Sequence, residues 1–199
     1  MGANPDQQEI QRAILDKYKK IAHSAEGMFN YATGREGARA LGYDSKVIAE
    51  APSRFLRSFC GVGNPFALGE IREGETVLDV GCGAGFDLYV ASKKVGTAGR
   101  VFGVDLTPEM VSVATDNIAR SGLTNVEIQQ GSSETLPFER ESIDVVISNG
   151  VFNLSPQKRL SFEEVFRVTR PGGRLQFADI VQDDDLPGDV VGSLEAWSN

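Results

Sequence analysis

Two aspartates and a run of alternate glycines are the residues of this chain best placed to do chemistry. Asp79 sits in the apolar stretch Val77-Leu78-Asp79-Val80, and Gly81-Cys82-Gly83-Ala84-Gly85 follows it. The pattern predicts a buried strand, a tight turn and the start of a helix. Glycine at alternate positions lets the backbone turn sharply and come close to a ligand. The helix behind the turn directs unpaired N–H groups at whatever lies above it. Those donors suit a carboxylate, and the Asp79 side chain suits an ammonium group. Asp105 closes the next predicted strand, Arg100-Val101-Phe102-Gly103-Val104-Asp105. An acid about twenty residues past the turn, at the end of the neighbouring strand, is placed to meet ribose hydroxyls. Position 86 is Phe, so the third glycine of the dinucleotide fingerprint is missing. The ligand expected is small and nucleotide-like.

Further candidates follow later strands. Gly131-Ser132-Ser133-Glu134 ends the third strand, and its side chains either meet the ligand or form a plain ST turn. Ser148-Asn149-Gly150-Val151-Phe152 ends the fourth. Asn149 there contacts ligand or caps a turn. Gly150 leaves room for a substrate atom or marks a bend. Thr107 is taken as the cap of the helix after Asp105, which frees the Asp105 carboxylate for ribose. Tyr18, Phe29 and Tyr31 form either an aromatic lid or part of the core. His23, the one histidine, reads as a surface residue. No catalytic residue is assigned, and the sequence shows neither a Ser/His/Asp constellation nor metal-ligand spacing.

The elements that must position these groups alternate. Strands are predicted at Thr76–Val80, Val101–Asp105, Val126–Gln130, Ile143–Asn149 and Arg174–Ile180, with helices between them. The last of these helices runs from Ser155-Pro156 to Arg170, where Pro171-Gly172-Gly173 stops it. Alternation implies right-handed crossovers and a doubly wound, mainly parallel α/β sheet of about five strands. Residues 1–70 read instead as a helical cap, and residues 71–199 as the ligand-binding domain. Asn4-Pro5-Asp6 starts a helix through Ile10, Ile14, Tyr18 and Ile21. Asp44-Ser45, Pro52 and Asn64-Pro65 open shorter ones. Past Ile180 come Asp183-Asp184-Asp185, a Pro187-Gly188 turn and a short helix over Val190–Trp197.

The chain has 199 residues, 41% of them hydrophobic, enough for one core of ordinary size. A net charge of −8 without a basic patch argues against nucleic acid. No apolar run is long enough for a membrane span, and Met1–Gln11 has no apolar signal core. Two cysteines without CxxC spacing suit a reducing cytoplasm.

The Asp-x-Gly-x-Gly-x-Gly form of the first motif resembles that of class I S-adenosylmethionine methyltransferases. Val77–Asp87 (VLDVGCGAGFD), Gly103–Met110 (GVDLTPEM), Val145–Leu154 (VVISNGVFNL) and Arg170–Arg174 (RPGGR) resemble the arsenite methyltransferase branch. The resemblance runs from about Gly61 to the C-terminus. It implies a Rossmann-like fold with S-adenosylmethionine as cofactor and S-adenosylhomocysteine as product. It further implies a small-molecule acceptor and cofactor contacts at Asp79, Gly81, Cys82, Gly83, Ala84, Gly85, Asp105, Leu106, Ser132, Ser133 and Asn149. Leu106 is expected on the adenine face, and Ser132 stands where the family often has Asp.

The acceptor side is expected at Tyr18, Cys60 and Gly150. The branch holds trivalent arsenic with cysteine thiolates. This chain has Val62 and Gly150 at two of those positions and lacks the third, so Cys60 is the nearest substitute. The family sheet carries two more strands than the five expected here. A longer natural chain is therefore favoured over a second copy covering the open edge, and a homodimer stays open. Two further readings are a cofactor-binding module without turnover and a nicotinamide-dependent oxidoreductase.

Overall fold

The computed structural model describes residues 6–181. The triple acid, the Pro187-Gly188 turn and the expected helix over Val190–Trp197 lie outside the described residues.

Helix α1 (Gln7–Ile21) starts later than expected. Asp6, not Asn4, is the cap: its carboxylate accepts from Glu9 N at 2.8 Å while the Glu9 carboxylate accepts from Asp6 N at 3.0 Å. This reciprocal box satisfies two donors that a helix end otherwise leaves open. Ile10, Ile14 and Ile21 form its buried face. Three short helices follow, α2 (Gly34–Ala40), α3 (Ser45–Glu50) and α4 (Ser53–Leu56). Asp44 caps α3 as expected, accepting from Lys46 N and Val47 N. Asn64 caps a 3-10 turn at Pro65–Ala67. α4 ends at Leu56.

The remainder alternates: β1 (Thr76–Val80), α5 (Phe86–Val95), β2 (Arg100–Asp105), α6 (Pro108–Ser121), β3 (Val126–Gln130), β4 (Ile143–Asn149), α7 (Lys158–Val168) and β5 (Thr169–Ala178). All pairings are parallel, in the order β3-β2-β1-β4-β5. β1 and β4 are buried along almost their whole length, which is why they read as apolar runs. Adjacent residues enter different cores: Val77 packs with Phe55, Phe86 and Leu88, and Leu78 packs with Val104, Val146 and Phe152. Strand order reverses between β1 and β4, so a crevice forms at their carboxyl ends. No helix among the described residues is long and apolar enough to cross a membrane.

The end of α7 and the start of β5 differ from expectation. The helix stops at Val168, and the strand begins at Thr169 instead of Arg174. Ile143 pairs with Thr169 and Val145 with Arg174, so Pro171-Gly172-Gly173 is absorbed as a register shift inside the strand. α7 starts at Lys158 because Ser155 and Gln157 are engaged elsewhere. The Ser155 hydroxyl donates to Glu134 Oε1 at 2.6 Å, and Gln157 N donates to the same oxygen at 3.1 Å.

Arg167 fastens the loop after β3. Its guanidinium donates to both carboxylate oxygens of Glu164, to the Phe138 carbonyl at 2.7 Å and to the Leu136 carbonyl at 2.8 Å. Glu164 in turn accepts from Leu136 N at 2.8 Å. Arg167→Ala strips two carbonyls and a carboxylate of a charged donor and should lower unfolding free energy by about 2–3 kcal/mol. Denaturant melts measure this, and a change under about 0.5 kcal/mol would contradict it.

Candidate functional site

A cleft opens at the carboxyl ends of β1, β2 and β4. The turn after β1 forms its floor. Gly81 adopts φ +76°, and a Cβ built there would lie 2.2 Å from Val151 Cγ2. Only glycine lets the turn pass this close to the β4 loop. Gly83, Ala84 and the start of α5 continue the floor.

Four acids line the cleft, Asp79, Asp87, Asp105 and Glu134, and no lysine, arginine or histidine lines it among the described residues. Asp79 is 2% exposed, and its Oδ2 is buried without a hydrogen-bond partner. Burial, then the neighbouring Asp87 and Asp105 charges, push its pKa well above the usual carboxylate range. Asp105 is also pushed up by burial, opposed by two backbone donors. Its Oδ2 accepts from Gly83 N and its Oδ1 from Thr107 N, each at 2.9 Å. Asp105 thus supports α6 itself, and the Thr107 side chain makes no capping bond, contrary to expectation. One carboxylate ties the glycine turn to the α6 start and still borders the cleft.

The other expected cofactor residues divide. Leu106 lines the cleft. Cys82 lines the cleft, and its side chain is buried where a Cβ on Gly103 would come within 2.9 Å of its Sγ. Ser132 Oγ accepts from Glu134 N at 3.2 Å, the ST turn kept open above. Ser133 shares a 2.8 Å hydrogen bond with Ser161 of α7. Asn149 lines the cleft, but its amide is spent on the chain itself: Oδ1 accepts from Val62 N and Gly63 N, and Nδ2 donates to the Gly63 carbonyl.

On the acceptor side, Tyr18 and Cys60 border the cleft with Gly150. Burial and the Asp105 charge raise the Cys60 thiol to about 12, so it stays protonated. Burial, with Cys60, Tyr31 and Asp105 nearby, raises Tyr18 well above its usual value. Gly150 has φ +74°, and a Cβ there would sit 3.4 Å from both methyls of Val62. Positions 62 and 150, far apart in sequence, therefore face each other. Of the three lid candidates only Tyr18 lines the cleft. Phe29 and Tyr31 stack on each other at 4.9 Å, and the Tyr31 hydroxyl donates to the Cys60 carbonyl. His23 is exposed.

Asp87 and Tyr43 escape a reading of the sequence. Asp87 is buried in the first turn of α5, where the Tyr43 hydroxyl donates to its Oδ1 at 2.7 Å. Burial raises its pKa to about 6, against the lowering effect of Tyr43 and Asn149. One signal was available: a lone acid inside the apolar run Phe86-Asp87-Leu88-Tyr89-Val90.

A family model for a methyltransferase domain matches residues 71–199. The arsenite methyltransferase of Halobacterium salinarum is 40% identical over 204 residues, covering 96% of this chain and 52% of that protein. An arsenic(III) S-adenosylmethionine methyltransferase from Chlamydomonas reinhardtii superposes with a TM-score of 0.62 at 38% identity, covering 80% of this chain and 53% of that one. A SAM-dependent methyltransferase from Aquifex aeolicus gives 0.56 at 31% identity, over 74% and 80%. The chain spans about half the length of the curated relatives it matches.

Asp79, Asp87 and Asp105 all bind a proton more tightly in the folded than in the unfolded chain. The stability this adds is present at low pH and is lost as pH rises above the ordinary carboxylate range near ~4, for Asp87 as pH passes about 6. Glu75 and Glu164, whose pKa values are lowered by their arginine partners, add stability that is lost as pH falls through the ordinary carboxylate range, below the interval from pH ~5 to pH ~7. The ligand-free protein should therefore melt at a higher temperature near pH ~5 than near pH ~7. A melting temperature that rises across this interval would contradict the assignment.

Proposed function

The chain belongs to the methyltransferase-domain family and has the class I fold, and on that premise we propose that its cleft binds S-adenosylmethionine for methyl transfer to a small-molecule acceptor. The observation that carries this reading is the unpartnered, buried Asp79 Oδ2 in a cleft lined by four acids and, among the described residues, no basic side chain. A buried carboxylate without a partner calls for a cation. A dinucleotide pyrophosphate would meet four acids there, which disfavours the oxidoreductase reading.

The residues present fit the cofactor. Asp79 would take its ammonium group, the Gly81–Gly85 turn its carboxylate, Asp105 its ribose hydroxyls and Leu106 one face of its adenine. The cofactor supplies an electrophilic methyl on a sulfonium. The chain's own work is positioning and exclusion of water. Tyr18, Ile14 and Met110 wall the cleft with apolar surface. Asp105, anchored at both oxygens, keeps its orientation without help from the ligand. In this division of labour residues 1–70 act as the cap and residues 71–199 as the cofactor domain.

For the acceptor, the residues argue against thiolate capture of arsenite. Val62 packs toward Gly150 where the branch resemblance implies two cysteines. Cys82 faces the core, and Cys60 is held protonated. We therefore place a different small nucleophile ahead of arsenite. The missing thiols also favour a second reading, a cofactor-binding module without turnover. Two free cysteines fit a reducing cytoplasm.

Calorimetry with S-adenosylhomocysteine should show binding to the wild type and at least about tenfold weaker binding to Asp105→Ala, from loss of charge-assisted hydrogen bonds. No heat with the wild type, or equal affinity in the variant, would overturn the reading. Methylation of any member of a panel of thiols, phenols and arsenite separates the enzyme from the module.

A further inference from the structure

Gly61-Val62-Gly63 forms a strap that crosses the carboxyl ends of β4 and β5 outside any helix or strand. A Cβ on Gly61 would lie 2.3 Å from Asn149 Nδ2, and one on Gly63 would lie 2.3 Å from Ala178 Cβ. The strap thus lies flat on the sheet end. Its neighbour Cys60 and its own Gly61 border the cleft, and Val62 faces Gly150.

One side chain holds it. Asn149 Oδ1 accepts from Val62 N at 2.8 Å and Gly63 N at 3.1 Å, and Nδ2 donates to the Gly63 carbonyl at 2.9 Å. An amide can turn over and exchange its donor and acceptor ends. Here the reversed amide would set its NH2 against two strap N–H groups. Asp87 opposes that reversal. Its Oδ2 accepts from Asn149 Nδ2 at 3.2 Å and its Oδ1 from the Tyr43 hydroxyl at 2.7 Å. An ionised carboxylate has no donor, so only the NH2 end of Asn149 can face it. An apolar residue would serve the packing of α5 at lower desolvation cost. The carboxylate adds direction.

We infer that Asp87 is a positioning residue for the acceptor side of the methyl-transfer site: through Asn149 and Tyr43 it fixes the strap 61–63 at the mouth of the cleft. The inference rests on the methyl-transfer reading for its purpose, but its geometry can be tested without a ligand.

Amide hydrogen exchange is the test. In Asp87→Ala, and more mildly in Tyr43→Phe, the Val62 and Gly63 amides should exchange about tenfold or more faster than in the wild type, while β1 and β4 keep their protection. Asp87→Asn keeps one acceptor oxygen and should restore part of the protection. S-adenosylhomocysteine should slow exchange at 61–63 in the wild type and not in Asp87→Ala. Wild-type exchange at the strap in both Asp87→Ala and Tyr43→Phe would overturn the inference, as would an acceleration spread equally over β1 and β4. If Asp87→Ala does not fold, Tyr43→Phe decides, since it removes one hydroxyl. Failure of the wild type to bind the homocysteine compound counts against the methyl-transfer reading alone, because the strap rates are read without it.

Discussion

A carboxylate moved from water into protein loses several kcal/mol of solvation unless hydrogen bonds or a counter-charge replace it, and three aspartates are buried at one end of this sheet. Each meets the cost differently. Asp105 is repaid by backbone N–H groups at both oxygens. Asp87 is repaid by a phenol and an amide. Asp79 keeps one oxygen without any partner. The Asp87 and Asp105 charges add to the cost at Asp79, and no basic side chain lines their cleft among the described residues. The arrangement is costly without a cationic ligand and is relieved by one.

The fold exists at this place because of how the strands are ordered. β1 lies between β2 and β4, so the chain leaves the sheet in opposite directions on either side of the β1 end. The glycine turn can then drop between the flanking loops, with Asp105 hooking it to the start of α6. At the end of β4, Asn149 draws the segment before β1 back over the cleft. The loop after β3 is secured from the other side by Glu134 and by the Arg167–Glu164 pair. Every loop around the cleft is therefore tied to an element that the sheet itself positions.

Much of this could be read from the chain. β1, β3 and β4 have the bounds predicted from the sequence, and the carboxyl-end acids Asp79 and Asp105 line the cleft. Those features are local: an apolar run bounded by glycine or acid carries its own limits. Side-chain direction was not local. Nothing around Cys82 tells that Gly103 makes room for its sulfur, or around Ser133 that Ser161 awaits it. Asn149 is spent on Val62 and Gly63, whose place depends on the whole N-terminal path. The α7–β5 boundary failed for the same reason, since Pro171-Gly172-Gly173 stops a helix in isolation and becomes a strand irregularity only when β4 sets the register. The facing of Val62 and Gly150 is equally a product of the fold, which brings two positions far apart in sequence together.

The most direct test is a crystal structure with S-adenosylhomocysteine bound. The account predicts the ligand's amino group at Asp79, its ribose at Asp105 and its thioether directed toward the wall made by Cys60, Gly61 and Gly150. Density elsewhere on the surface, or a cleft left empty at saturating ligand with Asp79 unpartnered, would contradict it.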